Sequence, residues 1–295
     1  MRMTDFDALS SDYQEQGFVV CEALLSADEI SQLLDETAAI ARGNRGEVRG
    51  ITPADDDMSD EEVLSQYLTV QFPHKVSTMI RDNYIAHPKI TDVLRALIGP
   101  DVKCMQSMLF IKKSGKPGQA WHQDEHFIPT RDRSLIGVWI ALDDATIENG
   151  CLWVRPGSHK DGIIYPTRPH NQAEFDEGNE LFDTPDDEDD GIAVEVKKGS
   201  VVFFNGYLHH RSLANRAPQG TFRRALVNHY MNARSLLPWD WDGRIAPTND
   251  MRDIIMVCGT DPYAHKGTQD ITYAFLRAET NDENDPNRDP HKKVF

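Results

Sequence analysis

The sequence predicts a mainly β fold, a sandwich or jelly roll with helices packed outside. Three observations predict it. Apolar residues of the first third recur at helical spacing, as in Ile30, Leu33, Leu34, Thr37 and Ala38. From about residue 102 the pattern changes to short runs rich in Val, Ile, Phe and Trp, punctuated by Gly, Pro, Asn and Asp. The 295 residues are 39% apolar, enough to build a core, and no Gly/Ser/Pro linker divides them. One domain over 1–295 is therefore expected, with a core of about 12–235 and an extension over 236–295 whose role the pattern does not give.

Taken in order, residues 11–16 read as a short polar helix that runs into a strand at Gly17. Ser26 and Glu29 have the spacing of a capping box, so an amphipathic helix is expected over about 27–42. Residues 43–60 are rich in Gly and Asp and read as a loop. Helical patches follow over 61–67 and 90–97. The expected strands are 105–112, 136–142, 152–155, 192–196, 201–204 and 224–230. No internal repeat is visible. The last 15 residues, rich in Asp, Asn and Pro, read as a loose tail.

Composition narrows the partners. The formal net charge is −17, which argues against a nucleic-acid or anionic-membrane partner, because both are polyanions. A small anionic ligand needs only one or two local cations and stays open. The acidic runs 183–190 and 282–289 read as solvated loops. Cys21, Cys104, Cys151 and Cys258 lie far apart with no CxxC pair, which predicts reduced thiols rather than a disulfide framework or a zinc knuckle. The N-terminus lacks the apolar core of a signal peptide, and no apolar stretch approaches the length of a membrane span. A cytoplasmic protein acting on a small molecule is the resulting expectation; oligomeric state is not legible.

The chemistry centres on His122-Gln123-Asp124. Ligand-type residues at i and i+2 of an extended segment project to the same side and can meet one ion. His209-His210 follows directly after the strand at 201–204 and can supply a third ligand. Two imidazoles and one carboxylate make the facial triad of non-haem Fe(II) oxygenases, which leaves three positions open for a bidentate cosubstrate and O2. An HxD pair alone also arises by chance. A second feature adds weight: Ser212 stands two residues beyond His210, and Arg223-Arg224 follow a turn of Asn215, Pro218 and Gly220. A planar guanidinium can hold a carboxylate bidentately. Alternation on a strand lets only one of the two arginines face inward.

Other readings compete. His122 and His126 have the spacing of a helical zinc site, but such a helix would run into Pro129 and lacks the expected Glu. A binding module without turnover and a cupin-like metal isomerase also remain. His74, His87, His159, His229 and His265 read as structural or surface residues. Trp121, Phe127 and Trp153 are candidates for the pocket wall, with Phe127 as a substrate contact; burial in the core is the competing reading.

Three stretches carry a family resemblance: SMLFIKKSGKPGQAWHQDEHF (107–127), WIALDDATIENGCLWVRPGSHK (139–160) and GSVVFFNGYLHHRSLANRAPQGTFRRAL (199–226). Together with DYQEQGFVV ahead of a capped helix, they resemble the phytanoyl-CoA dioxygenase family. This is a branch of the 2-oxoglutarate-dependent oxygenases that includes ectoine hydroxylase. The likeness spreads over most of 12–230, and nothing after about 235 carries it.

The resemblance implies a double-stranded β-helix, a cupin-like jelly roll whose mouth holds Fe(II). It implies iron ligands at His122, Asp124 and His210, with His210 chosen over His209 because it stands directly before Arg211-Ser212. It also implies that Arg223 pairs with the far carboxylate of 2-oxoglutarate, assisted by Ser212, with Met108 and Trp139 lining the cosubstrate pocket and Gln106 near the substrate. Gly150, Pro156, Gly157 and Ser158 mark a turn of structural role. The implied reaction couples oxidative decarboxylation of 2-oxoglutarate to hydroxylation of an unactivated C–H bond, giving succinate and CO2. The carboxylate of Asp124 favours hydroxylation over halogenation; desaturation or epoxidation is an alternative outcome of the same chemistry. The substrate is expected against the N-terminal helices, the 43–60 loop and 161–191, with 183–190 as a lid. Lys112, Lys113 and Lys116 are candidates for a coenzyme A thioester at the mouth.

Overall fold

The capping box at Ser26 forms as the spacing predicts. The Ser26 hydroxyl accepts from the Glu29 N–H, and the Glu29 carboxylate accepts from the Ser26 N–H at 2.7 Å. Helix Ala27–Ala41 follows, with Ile30, Leu33, Thr37 and Ala38 buried. Helix Phe6–Gln16 precedes it and runs into strand β1 (Phe18–Cys21) through Gly17, whose φ of +83° suits glycine. Pro88 opens helix Pro88–Ile98, where its missing N–H costs nothing. The computed structural model describes residues 6–236, apart from 177, and 254–278, apart from 269 and 271. The expected loose tail at 281–295 lies outside the described residues.

One helical expectation stops short. Helix Asp60–Leu64 ends before Tyr67, which instead opens strand β2 (Tyr67–Gln71). β2 is fixed by pairing with β3 (Val102–Lys113), a partner far away in the sequence that no local window senses. The remaining strands are β4 (Gln119–His122), β5 (Ile136–Ala141), β6 (Leu152–Val154), β7 (Thr167–Pro169), β8 (Asn179–Leu181), β9 (Ile192–Val194), β10 (Val201–Asn205), β11 (His210–Ser212), β12 (Phe222–Asn232), β13 (Ile255–Cys258) and β14 (Phe275–Ala278).

They form a jelly roll. The large sheet runs β1-β10-β5-β12-β3-β2-β14, with β13 also paired to β3; the small sheet runs β4-β11-β6-β9; β7 and β8 make a separate hairpin. Every strand pair is antiparallel. The expected fold class, mainly β with flanking helices, is the observed one. The stretch beyond 236, which carries no motif, supplies β13 and β14 to the large sheet.

Period-two alternation sorts each strand between two cores. Ile136, Val138 and Ile140 of β5, Val201 and Phe203 of β10, and Leu226 and Tyr230 of β12 face the helices. Trp139, Ala141, Val202, Phe204, Ala225 and Val227 face the small sheet, where they meet Leu152, Val154 and Val194. The same parity carries Arg223 and His229 inward on β12 and sends Arg224 to the helix side. Cys104 and Cys151 are buried, Cys21 and Cys258 half-buried, and all four are free thiols.

Candidate active site

Between the two sheets lies a cavity of about 300 Å³. Strands β4 and β11 pair so that His122 stands opposite His210. Gln123 is extended (φ −122°, ψ 129°), and Asp124 opens a one-turn helix, Asp124–Phe127. The buried Gln123 side chain points the other way. Its amide donates to the Ile163 and Tyr207 carbonyls at 2.9 and 2.8 Å and accepts from the Tyr165 N–H at 3.0 Å. Those three bonds hold the middle of the motif, so that its two ends face the cavity.

The ligand atoms of His122, Asp124 and His210 lie within 4.8 Å of one another, and they are the only such cluster of His, Cys, Asp and Glu among the described residues. Asp124 Oδ1 is 3.7 Å from His122 Nε2 and 3.5 Å from His210 Nε2. Both rings are set the same way. His122 Nδ1 donates to the Ala120 carbonyl at 2.8 Å and His210 Nδ1 to the Leu208 carbonyl at 2.9 Å. A carbonyl can only accept, so both rings carry a proton on Nδ1 and turn Nε2, the atom that would ligate a metal, toward the common centre. Burial, and then His210, push His122 down to about 4, which keeps it a neutral ligand at neutral pH. Burial opposes the charge on Asp124, yet His210 and His229 hold its carboxyl well below the usual carboxylate range. Against its burial, the neighbouring Asp124 raises His210 above the usual imidazole range, so iron would have to displace a proton there. Two nitrogens and one carboxylate would then fit ferrous iron and leave a face open.

The other end of the cavity is cationic. Arg223 is 4% exposed, and no carboxylate pairs with it among the described residues. Its Nε has no hydrogen-bond partner, and its guanidinium stands 5.7 Å above the Trp139 ring. Burial lowers it to about 10, so it stays charged near neutrality. A buried cation without a counter-ion is costly and implies that an anion completes the site. Arg224 contrasts with it: its guanidinium grips Asp143 bidentately at 2.8 and 2.7 Å. Met108, Trp139, Ser212 and Arg223 all line the cavity, as do Gln106, which stands opposite His229 in the β3–β12 ladder, and Phe127, whose ring lies edge-on to His122.

A model of the phytanoyl-CoA dioxygenase family matches residues 13–225. The chain belongs to the phytanoyl-CoA dioxygenase family. Peroxisomal phytanoyl-CoA dioxygenase of Rattus norvegicus is 34% identical over 235 residues, which cover 74% of this chain and 66% of the rat protein, just under two thirds of its length. A probable alpha-ketoglutarate-dependent hypophosphite dioxygenase of Stutzerimonas stutzeri is 29% identical over 73% of this chain and 74% of that one. Among solved structures, the apo form of the non-haem monooxygenase ThoJ superposes with a TM-score of 0.64 at 25% identity, covering 86% of this chain and 84% of ThoJ.

Within this dioxygenase-family fold several sequence expectations need correction. His229, read as structural or surface, sits on the inner face of β12 with Nε2 3.0 Å from Asp124 Oδ2. It ties up one carboxylate oxygen and leaves Oδ1 to the histidine pair. Its only sequence signal was its parity with Arg223. Trp121 and Trp153 do not line the cavity; they face outward beneath the Arg211 guanidinium, 4.6 and 5.3 Å from it. Among the described residues neither 43–60 nor 161–191 lines the cavity; Gln71, Phe72, Ile128 and Thr272 do. The acidic segment is not a lid in this structure: Asp186 meets His209 at 3.2 Å and Arg155 at 3.4 Å on the outer side of the small sheet. Lys112 is 6% exposed on the inner face of β3, and with Lys116 it lines a second, smaller cavity rather than the main one. The HxxxH zinc reading fails because the helix ends at Phe127 and His126 is outside the ligand cluster. The single turn expected from Gly150 to Ser158 is two turns on either side of β6: Gly150 and Gly157 have φ near +81° and +82°, and the Ser158 hydroxyl accepts from the His209 N–H beside His210.

His229→Leu is expected to weaken iron binding by roughly 10–100-fold, the usual effect of removing a group that braces a ligand. His229→Gln, whose amide can still donate to Asp124, should recover most of it. Iron titration of the two variants checks this, and equal losses would mean His229 acts by packing alone.

Proposed function

We propose that this protein is an Fe(II)- and 2-oxoglutarate-dependent oxygenase that hydroxylates an unactivated C–H bond of a small molecule, with succinate and CO2 as coproducts. The observation that carries the reading is the buried, unpaired Arg223 in the same cavity as the His122–Asp124–His210 cluster. A short dicarboxylate with a 2-keto group satisfies both ends. Its keto acid would reach the iron held by the triad, and its far carboxylate would meet Arg223 and the Ser212 hydroxyl. Iron bound there supplies the oxidative chemistry. The protein's own part is to bind, orient and exclude water. Trp139, Leu152, Phe204 and Val227 make the walls apolar between the two charged ends.

The substrate would occupy the remaining wall, where Phe72, Phe127 and Ile128 stand with Gln71, Gln106 and Thr272. Aromatic and aliphatic surface with amide and hydroxyl groups suits a small metabolite bearing neutral polar groups. Thr272 is the contribution to this wall from the described residues after 253. No described helix is long and apolar enough to cross a membrane.

Anaerobic reconstitution with Fe(II), followed by 2-oxoglutarate, tests the reading. A weak visible charge-transfer band is expected, which disappears on admitting O2 as succinate accumulates. Iron-loaded protein that gives no band with 2-oxoglutarate would instead point to a redox-inert metal site or a binding module.

A further inference from the structure

One wall of the cavity is built where β14 joins β2. Phe275 of β14 pairs with Gln71 on one side and bridges Arg49 on the other. The Arg49 N–H donates to the Ala274 carbonyl at 3.0 Å, and the Leu276 N–H donates to the Arg49 carbonyl at 2.8 Å. Strand β14 is thus held along both edges, and Thr272, just ahead of it, reaches the cavity from a fixed base. Gln71 reaches the same cavity from β2. The segment is tied down once more, by an ion pair between Asp270 and Lys75, in the short helical turn that follows Phe72.

The donors of this wall are spent inside the protein. The Thr272 hydroxyl and the Thr272 N–H both donate to Asp270 Oδ1 at 3.0 Å. An ionised carboxylate can only accept, so the direction of the hydroxyl bond is fixed. Burial opposes the charge on Asp270, yet Lys75 holds its carboxyl below the usual carboxylate range, so it stays ionised at neutral pH. A hydroxyl has one proton and two acceptor lone pairs. With its proton on Asp270, Thr272 Oγ1 has only lone pairs to offer a bound molecule, and the carboxylate behind it strengthens them. Gln71 adds a second acceptor. Its Nε2 donates to Thr69 Oγ1 at 3.3 Å, and its amide oxygen has no partner among the described residues. We propose that Thr272 is a specificity-determining residue, positioned by Asp270 and Lys75: the substrate presents an O–H or N–H donor to the β2–β14 wall, and not a carboxylate, a phosphate or an ether oxygen. The inference rests on the oxygenase reading above and narrows its substrate class to molecules that carry such a donor.

The test uses paired probes: benzyl alcohol against benzyl methyl ether, and benzamide against N,N-dimethylbenzamide. Each pair keeps an aromatic ring for Phe72 and Phe127 and differs in the donor. Dissociation constants are read by ligand-observed NMR on protein loaded with 2-oxoglutarate and Zn(II), a redox-inert stand-in for iron. The donor-bearing member of each pair should bind about threefold to tenfold more tightly, the range for one net hydrogen bond. Thr272→Val keeps the shape, removes the hydroxyl and should lose most of that preference, whereas Thr272→Ser should keep it. Asp270→Ala releases the hydroxyl proton to donate, so the methylated probes should gain and the preference should narrow. A donor preference absent from the wild type, or unmoved by Thr272→Val, would overturn the proposal. Equal losses for both members of each pair in Thr272→Val would reduce Thr272 to a structural residue, and a preference intact in Asp270→Ala would mean that the carboxylate does not set the hydroxyl; either overturns it as well. Fe(II)-loaded protein that gives no visible band with 2-oxoglutarate would instead sink the oxygenase reading, and this inference with it.

Discussion

His122→Ala is expected to abolish stoichiometric Fe(II) binding and, with it, turnover. The argument is geometric. His122 and His210 turn Nε2 to one centre, and Asp124 Oδ1 faces both. Loss of one imidazole leaves a single nitrogen and a carboxylate, too few to hold a divalent ion against water. The loss should exceed the roughly 10–100-fold that follows removal of a group merely bracing a ligand. Iron content after anaerobic loading is the first readout and needs no substrate. The fold should survive, because His122 ends a strand at the cavity rather than filling the core. His126→Ala is the matched control and should keep its iron, since His126 lies outside the cluster. Full iron binding by His122→Ala would reject the triad.

The second large effect separates two adjacent arginines. Arg223→Met should raise the dissociation constant for 2-oxoglutarate by about 30-fold to several thousandfold, the usual 2–5 kcal/mol for truncating a buried charge partner. It should not lower the thermal stability of the empty protein, because Arg223 there is a buried cation without a counter-ion. Arg224→Met should do the reverse. It leaves the binding of 2-oxoglutarate nearly intact and costs about 1–3 kcal/mol of stability, by stranding Asp143 without its bidentate partner. Paired melting curves and anaerobic titrations of the two variants decide it. The opposite pattern would mean that β12 presents the other face to the cavity.

The donor types were legible because they depend on short-range rules, whereas alternation allowed either arginine to face inward and only the resemblance singled out Arg223. Two ligands flanking one residue share a side of an extended chain, and that relation held although Asp124 begins a helical turn. The capping box at Ser26 and the apolar alternation of β5, β10 and β12 were local in the same sense. His229 was missed because its meaning depends on Asp124, which it meets only across the barrel. Tyr67 was taken for helix because β2 exists only through its pairing with β3 and β14. Trp121 and Trp153 were candidates for the pocket because composition does not reveal which face a side chain takes once strands pair.

Residue identity at fixed spacing determined the mainly β class and the donor types of the triad, because alternation and turn chemistry translate directly into local geometry. The jelly roll, the choice of His210 over His209 and the family rested on the resemblance of three sequence stretches. The tertiary structure alone decided what surrounds those groups: that Gln71, Phe72 and Thr272 wall the cavity, that the acidic segment braces the outside of the small sheet, and that Lys112 stands opposite Arg223. These are contacts between strands far apart in the chain. Their register is set by sheet pairing, and pairing is a property of the packed whole rather than of any stretch of residues.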